Sequence, residues 1–219
     1  MKTLSKRKTR AVIFDLDGTL IDSLPLVLRA FAHALEPFGR GASMDLFARL
    51  GGPPCRIFPS LLGDERHVPA ALKRLQAFNR ENNHLIRPFY GVTVVLEQLQ
   101  ARGMALAVWT GRDRESTDWL LQKHGFSGFF SVVICGDDLP THKPDPQGLR
   151  EIILRLNVDP QEALLVGDAD VDVLGGAACG IETLLIGHAR TVEEAVLAKA
   201  WQTVASPVEA FELVLNRAE

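Results

Sequence analysis

Long hydrophobic runs are missing from this sequence of 219 residues. No stretch approaches the roughly eighteen uninterrupted apolar residues that a bilayer-spanning helix requires. A strong excess of positive charge is also lacking. The net charge of −3 argues against a nucleic-acid-binding protein. Cysteine is scarce: Cys55, Cys135 and Cys179 form an odd, scattered set without metal-ligand spacing. They read as reduced, mostly buried thiols of a cytoplasmic protein, and no disulfide framework is expected. The stretch Met1–Arg10 is locally basic but lacks the apolar core of a secretory signal, so residues 1–10 read as a disordered extension. There is no internal repeat and no low-complexity segment. What is present is a 47% hydrophobic chain, long enough for one large α/β domain or a core plus a small insert.

The most informative stretch is Phe14-Asp15-Leu16-Asp17-Gly18-Thr19-Leu20, directly after the apolar run Ala11-Val12-Ile13. The run reads as a buried parallel strand, and Gly18 lets the chain turn away sharply. Two carboxylates then sit at the carboxyl end of the strand, which is where open α/β sheets bind ligands. Like charges crowded there repel one another. A hard divalent cation such as Mg²⁺, which favours carboxylate oxygens, carbonyls and water, removes that penalty.

Three further segments follow in order, each at a strand-like run or just ahead of a helix. Met104–Trp109 runs into Thr110-Gly111-Arg112. Lys143-Pro144-Asp145-Pro146 precedes a helical stretch, with two prolines stiffening the loop. Ala163–Gly167 runs into Asp168-Ala169-Asp170-Val171-Asp172, where Asp172 lies one helical turn beyond Asp168. As an ordered set, these four segments resemble the motifs of the haloacid dehalogenase-like hydrolases, in the phosphatase branch. The dehalogenase branch is disfavoured, because those enzymes generally lack the second aspartate of the first motif.

The resemblance implies a role for each matching residue. Asp15 would be the nucleophile that takes up the phosphoryl group, and Asp17 the general acid and base. Thr110 and Gly111 would hold the phosphate, and Lys143 would neutralise it in the transition state. Mg²⁺ would be the cofactor, bound by the Asp15 carboxylate, the Asp17 main-chain carbonyl and Asp168. Asp172 would support the metal or orient Lys143. Arg112 receives no role, His142 reads as a bystander, and Asp170 reads as an acid favouring the N-terminus of its helix.

Between the first and second motifs there is no convincing strand. Ser23 reads as an N-cap for a helix carrying Leu24, Val27, Leu28, Phe31 and Leu35 on one stripe. A second helix is expected over Met44–Leu50, broken by Gly51-Gly52-Pro53-Pro54. A short helical stretch begins at Arg56, and a longer helix is expected from about Val68 to Ile86. This insert resembles the small helical cap of the phosphoglycolate phosphatase-like group. The domain reading is therefore a core of residues 11–22 and 89–219, with a cap of residues 23–88. On the same resemblance the turn from Gly52 to Arg56 faces the active site. Arg56 is then either a partner for a second anionic group on the substrate or a surface arginine.

After the insert, helical and strand-like runs alternate, which implies a Rossmann-like parallel sheet with right-handed crossovers. Strands are expected over Ser131–Cys135, Ala163–Gly167 and Thr183–Ile186. Helices are expected over Val92–Arg102, Glu115–His124, Pro146–Leu156 and Val171–Cys179, with another beyond Ser206. The expected protein is a cytoplasmic, Mg²⁺-dependent phosphatase, monomeric or homodimeric, acting on a small phosphate monoester such as a phosphoglycolate-like or sugar phosphate. An inorganic pyrophosphatase is the nearer alternative, because Gly51-Gly52-Pro53-Pro54 looks like the cap turn of some pyrophosphatase members. A phosphomutase is disfavoured, because Val27 occupies the place of its cap histidine and His33 lies more than a turn further on. A non-catalytic regulatory protein retaining the fold is the third alternative.

Overall fold

In a computed structural model, residues 8–43, 46 and 48–218 are described. The centre is a six-stranded, all-parallel sheet in the order β5-β4-β1-β6-β7-β8. Its strands are β1 (Ala11–Phe14), β4 (Ala105–Trp109), β5 (Val132–Ile134), β6 (Ala163–Gly167), β7 (Glu182–Ile186) and β8 (Gln202–Val204). β1 is the middle of the sheet because every one of its residues is fully buried, on both faces. Its side chains alternate between layers. Val12 and Phe14 pack with α4 (Val92–Ala101), α5 (Arg114–Lys123) and α9 (Pro207–Arg217), whereas Ala11 and Ile13 pack with α6 (Gln147–Leu156). Two further helices, α7 (Asp170–Cys179) and α8 (Glu194–Leu197), cover the β7 region through Val173, Leu185 and Val196. Parallel pairing places Asp15, Thr110 and Asp168, each the first residue after its strand, at one edge.

The chain leaves this unit through β2 (Ile21–Asp22) and returns through β3 (Arg87–Pro88), which pair antiparallel as a two-stranded ribbon. Between them lie α1 (Leu24–Leu35), α2 (Pro54–Leu62) and α3 (Val68–Asn82). These helices share their own core, in which Phe31, Leu35, Phe58, Leu62, Ala71 and Leu75 are buried. Phe31 and Phe58 meet edge to face with ring centroids 5.3 Å apart, a favourable aromatic geometry. The fold class is therefore α/β with an all-helical insert after the first sheet strand. Among the described residues no helix is long and apolar enough to cross a membrane.

Several expectations shift. In α1 the buried positions are Leu24, Leu26, Ala30, Phe31, Ala34 and Leu35, while Val27 and Leu28 are only half-buried. The helix has two partners rather than one: Leu26 joins the sheet core, and Ala30 and Phe31 join the insert core. Helix α3 stops at Asn82 and the chain continues as a tighter turn over Asn83–Leu85. Helix α5 begins at Arg114, because the Asp113 carboxylate caps it by accepting from the Ser116 N–H at 2.9 Å. β8 and α8 went unread; β8 is a three-residue edge strand with no buried residue. Of the cysteines, only Cys135 is buried, whereas Cys179 is half-buried and Cys55 exposed. The expected Met44–Leu50 helix includes residues 44, 45 and 47, and the basic extension includes residues 1–7, which lie outside the described residues.

Candidate active site

The loop after β1 turns at Gly18, whose φ of +75° is accessible to glycine and costly for other residues. A Cβ at this position would also overlap the Asp168 carboxylate. The turn therefore lets the β1 loop lie directly against the β6 loop. At the centre is Lys143, almost fully buried, whose Nζ donates to Asp15 Oδ1 at 2.6 Å and to Asp172 Oδ1 at 2.6 Å. The ammonium also sits 4.7 Å from the Trp109 ring centroid. Asp172, the third residue of α7, is completely buried, and its other oxygen accepts from the Ala169 N–H at 3.0 Å. A lysine more than a hundred residues from Asp15 is thus fixed between an acid at a strand end and an acid in the first turn of a helix.

Electrostatics in this cluster follow from burial and charge count. Asp15, Asp168 and Asp172 each offer a carboxylate oxygen, and these oxygens all lie within 4.8 Å of one another. Burial pushes Asp15 up to about 7, with Asp172 adding to the rise and Lys143 pulling against it. Burial likewise raises Asp168 well above the usual carboxylate range, reinforced by the charges of Asp15 and Asp172. Burial alone would lower Lys143, but Asp15 and Asp172 outweigh it and hold the amine charged. With all three acids ionised, one lysine would leave an excess of negative charge in an all-oxygen donor set, which is why burial and this repulsion together raise Asp15 and Asp168. That is the chemistry a hard divalent cation fits. Asp17 contributes no carboxylate to this cluster.

Asp17 instead belongs to a second network. Arg112 Nε donates to its Oδ2 at 2.9 Å and Arg112 Nη2 to its Oδ1 at 2.5 Å, a bidentate pair. Ser23 Oγ donates to the same Oδ1 at 2.5 Å. Burial works to raise Asp17, but the Arg112 charge and the hydrogen bonds from Arg112 and Ser23 overcome it and hold the carboxyl below its ordinary range. Ser23 stands at the N-cap position of α1, as expected, but its hydroxyl makes no capping bond there and is committed to Asp17. Arg112, which received no role, is the principal partner of Asp17. Nothing in the spacing marked it, because the ion pair joins residues 95 apart in sequence.

Thr110 is buried at the end of β4, and its Oγ1 accepts from the Arg112 N–H at 3.2 Å. Gly111 approaches the insert closely, as a Cβ there would lie 2.7 Å from the Gly51 carbonyl oxygen. Both line one cavity with Asp15, Asp17, Lys143 and Asp168. Gly52 also lines it, and a Cβ at Gly52 would press on the His142 imidazole at 2.8 Å. Arg56 does not line the cavity. Its guanidinium donates to the carbonyls of Leu139 at 2.8 Å and Pro140 at 3.0 Å, strapping α2 to the loop that carries Lys143. The expectation that Arg56 faces the site is corrected accordingly: backbone acceptors on the sheet unit claim its donors.

The loop after β7 supplies two residues the sequence reading missed. Arg190 donates to the Asp168 carbonyl at 2.9 Å and pairs with the Asp170 carboxylate at 2.8 Å. Asp170 begins α7, as its helix-terminus reading implies, but it also anchors Arg190. His188 Nε2 lies 2.8 Å from the Gly18 carbonyl, tying the same loop to the β1 turn. Among the described residues His142 is placed by its own backbone neighbour, with Nδ1 2.9 Å from the Lys143 carbonyl.

Similarity to known proteins agrees with this arrangement. The chain is 32% identical to the pyrophosphatase PpaX of Halalkalibacterium halodurans over 192 residues, covering 84% of this chain and 86% of that protein. It is 31% identical to phosphoglycolate phosphatase 1 of Pseudomonas aeruginosa over 202 residues, covering 86% of this chain and 74% of that one. A hydrolase from Pseudomonas syringae superimposes with a TM-score of 0.81 over 96% of this chain and all of its own, at 20% identity, a likeness of fold alone. The family description haloacid dehalogenase-like hydrolase matches residues 12–186, a span that contains every acid of the two networks together with Thr110, Arg112 and Lys143. The ordered strand-end motifs, the sheet that gathers them and these similarities agree: the chain belongs to the haloacid dehalogenase-like hydrolases, in their phosphoglycolate phosphatase-like group.

Proposed function

We propose that this protein is a Mg²⁺-dependent phosphatase that hydrolyses a small phosphate monoester through a phosphorylated Asp15. The observation that carries the reading is the convergence of Asp15, Lys143 and Asp168, beside Thr110, at the floor of one cavity, with the fully buried Asp172 bonded to Lys143. Residues 11–22 and 89–219 act as the catalytic core, and residues 23–88 as a cap over it.

Asp15 and Asp168 would hold the ion with the Asp17 main-chain carbonyl, and Asp172 would support them. When bound, Mg²⁺ supplies charge neutralisation for the phosphoryl oxygens and keeps Asp15 ionised despite its burial. The Asp15 carboxylate attacks phosphorus, forming an acyl phosphate as the bond to the leaving-group oxygen breaks. Lys143 is held by Asp15 and Asp172 where charge grows on the transferring group, so no reorganisation is needed at the moment of reaction. Thr110 and the neighbouring amides bind the phosphoryl oxygens. Asp17, kept ionised by Arg112 and Ser23, is in the state that takes a proton from the hydrolytic water in the second step. To protonate a leaving group in the first step, it must first take up a proton against the pull of Arg112 and Ser23. Attack of that water on phosphorus releases inorganic phosphate and restores Asp15.

A second reading, hydrolysis of inorganic pyrophosphate, is supported by the approximately 30% identity to proteins named pyrophosphatase PpaX. Phosphate release from a panel of monoesters and pyrophosphate, with and without Mg²⁺, tests both. Asp15→Asn should lower metal-dependent release by about 10⁴-fold or more while the protein stays folded. Substantial activity in that variant would remove Asp15 as the nucleophile.

A further inference from the structure

The cavity above the phosphoryl floor has a roof, and its chemistry differs from the floor. With a volume of about 120 Å³ it is small beside the roughly 300–1,000 Å³ of pockets for drug-sized ligands. The helical insert contributes Val27, Phe31, Leu50 and Ile57 to its wall, together with the carboxamide residues Asn79 and Asn83. No arginine, lysine or histidine of the insert lines it among the described residues. Four of the insert's eight arginines have contacts that direct them elsewhere. Arg29 lies over the Phe78 ring, Arg49 pairs with Glu193, Arg56 straps the Lys143 loop, and Arg74 donates to the His33 carbonyl. The insert positions outside the described residues, Met44, Asp45 and Phe47, carry no cationic side chain.

The cations on the floor are also committed. Lys143 is shared by Asp15 and Asp172, Arg112 is bidentate on Asp17, and Arg190 is taken by Asp168 and Asp170. A leaving group with its own carboxylate or phosphate would enter an apolar chamber without a free counter-charge, which is strongly unfavourable. An uncharged alkyl or hydroxyalkyl group would lose little on entry, and each carboxamide offers both a donor and an acceptor to a hydroxyl.

We infer that the leaving group is a small, uncharged, largely apolar alcohol, whose hydroxyl is read by Asn79 and Asn83, rather than a second anionic group. This inference rests on the phosphatase reading above and narrows it. In the first step the proton on Asp17 goes to the departing alkoxide oxygen, giving the neutral alcohol; in the second, water adds its hydroxyl to phosphorus and its remaining proton returns to Asp17 as inorganic phosphate is released.

The experiment compares four substrates of the intact protein with Mg²⁺: propyl phosphate, 3-hydroxypropyl phosphate, the phosphate ester of 3-hydroxypropionate, and pyrophosphate. Asp15→Asn serves as the blank. Wild-type kcat/KM should be at least ten-fold higher for the two uncharged esters than for the carboxylate ester or pyrophosphate. Asn79→Lys, which brings a cation to the chamber wall, should shift the ratio of carboxylate to propyl ester at least ten-fold toward the carboxylate. The wild-type ratios alone decide the matter if that variant does not fold. Equal or better turnover of the carboxylate ester or of pyrophosphate by the wild type overturns the inference and leaves the phosphatase reading standing. Silence on all four while p-nitrophenyl phosphate is turned over overturns the inference alone, and silence on all five overturns both.

Discussion

The floor and the roof of the cavity are made by different parts of the chain and by different physics. The floor is assembled from strand ends. Its acids and its lysine come from segments far apart in sequence, are buried or half-buried, and are held by charge-assisted hydrogen bonds of 2.5–3.0 Å. The roof comes from one continuous segment with its own apolar core around Phe31 and Phe58, and it offers the cavity hydrocarbon and two amides. A buried polar network is worth its cost only when every member is paired, so the floor has little freedom to vary. An apolar wall tolerates substitutions that conserve volume, so the roof is where selectivity can change without dismantling the chemistry.

That contrast can be broken in stages. The largest effect belongs to the floor: Asp17→Asn should reduce turnover by about 10²–10⁴-fold, the usual contribution of a positioned acid–base group, with little change in Mg²⁺ affinity. Steady-state kinetics with metal titration would show it, and a variant with near-normal kcat would remove Asp17 from proton transfer. In the roof, Phe58→Ala deletes the largest fully buried ring of the insert core and should cost about 3–5 kcal/mol in denaturant unfolding. If the two cores are energetically separate, circular dichroism and intrinsic tryptophan emission will lose coincidence in this variant, because all three tryptophans, Trp109, Trp119 and Trp201, lie in the sheet unit. Coincident transitions would mean that the cores unfold as one.

The seam between the parts should respond differently again. A Cβ at Gly51 would overlap the Lys143 carbonyl, so Gly51→Ala should prop the insert away from the floor. A displacement of about 1 Å can cost on the order of 10²-fold in rate, so kcat/KM should fall by about that much while the melting temperature hardly moves. Unchanged kinetics would show that close approach of this turn is not needed for turnover. The smallest effect is expected at Arg49, which meets Glu193 across the same seam with both side chains well exposed. Arg49→Ala should change stability by about 0–1 kcal/mol, and the difference should fade in high salt.

The sequence carried the four strand-end motifs and the α/β alternation, because an apolar strand followed by an acid, a threonine or Gly-Asp is a local pattern. It also carried the existence of a helical insert, through stretches without strand periodicity. It did not carry Arg112 as the partner of Asp17, nor Arg190 as the clamp on Asp168 and Asp170, since each contact joins segments from different crossovers. Nor did it carry the partners of Arg56 and of the Ser23 hydroxyl, for one reason. A donor's partner depends on which acceptor lies nearest after folding, and the Leu139 carbonyl and the Asp17 carboxylate reach them first.

The amino-acid sequence by itself therefore determined which residues end the strands and which segment is helical, as these follow from periodicity, propensity and turn chemistry acting over a few neighbours. Only the tertiary structure decided how the charges pair and what the roof presents to a substrate. Both depend on distances between residues tens to more than a hundred positions apart, which parallel crossovers and the return of the insert bring within hydrogen-bond reach.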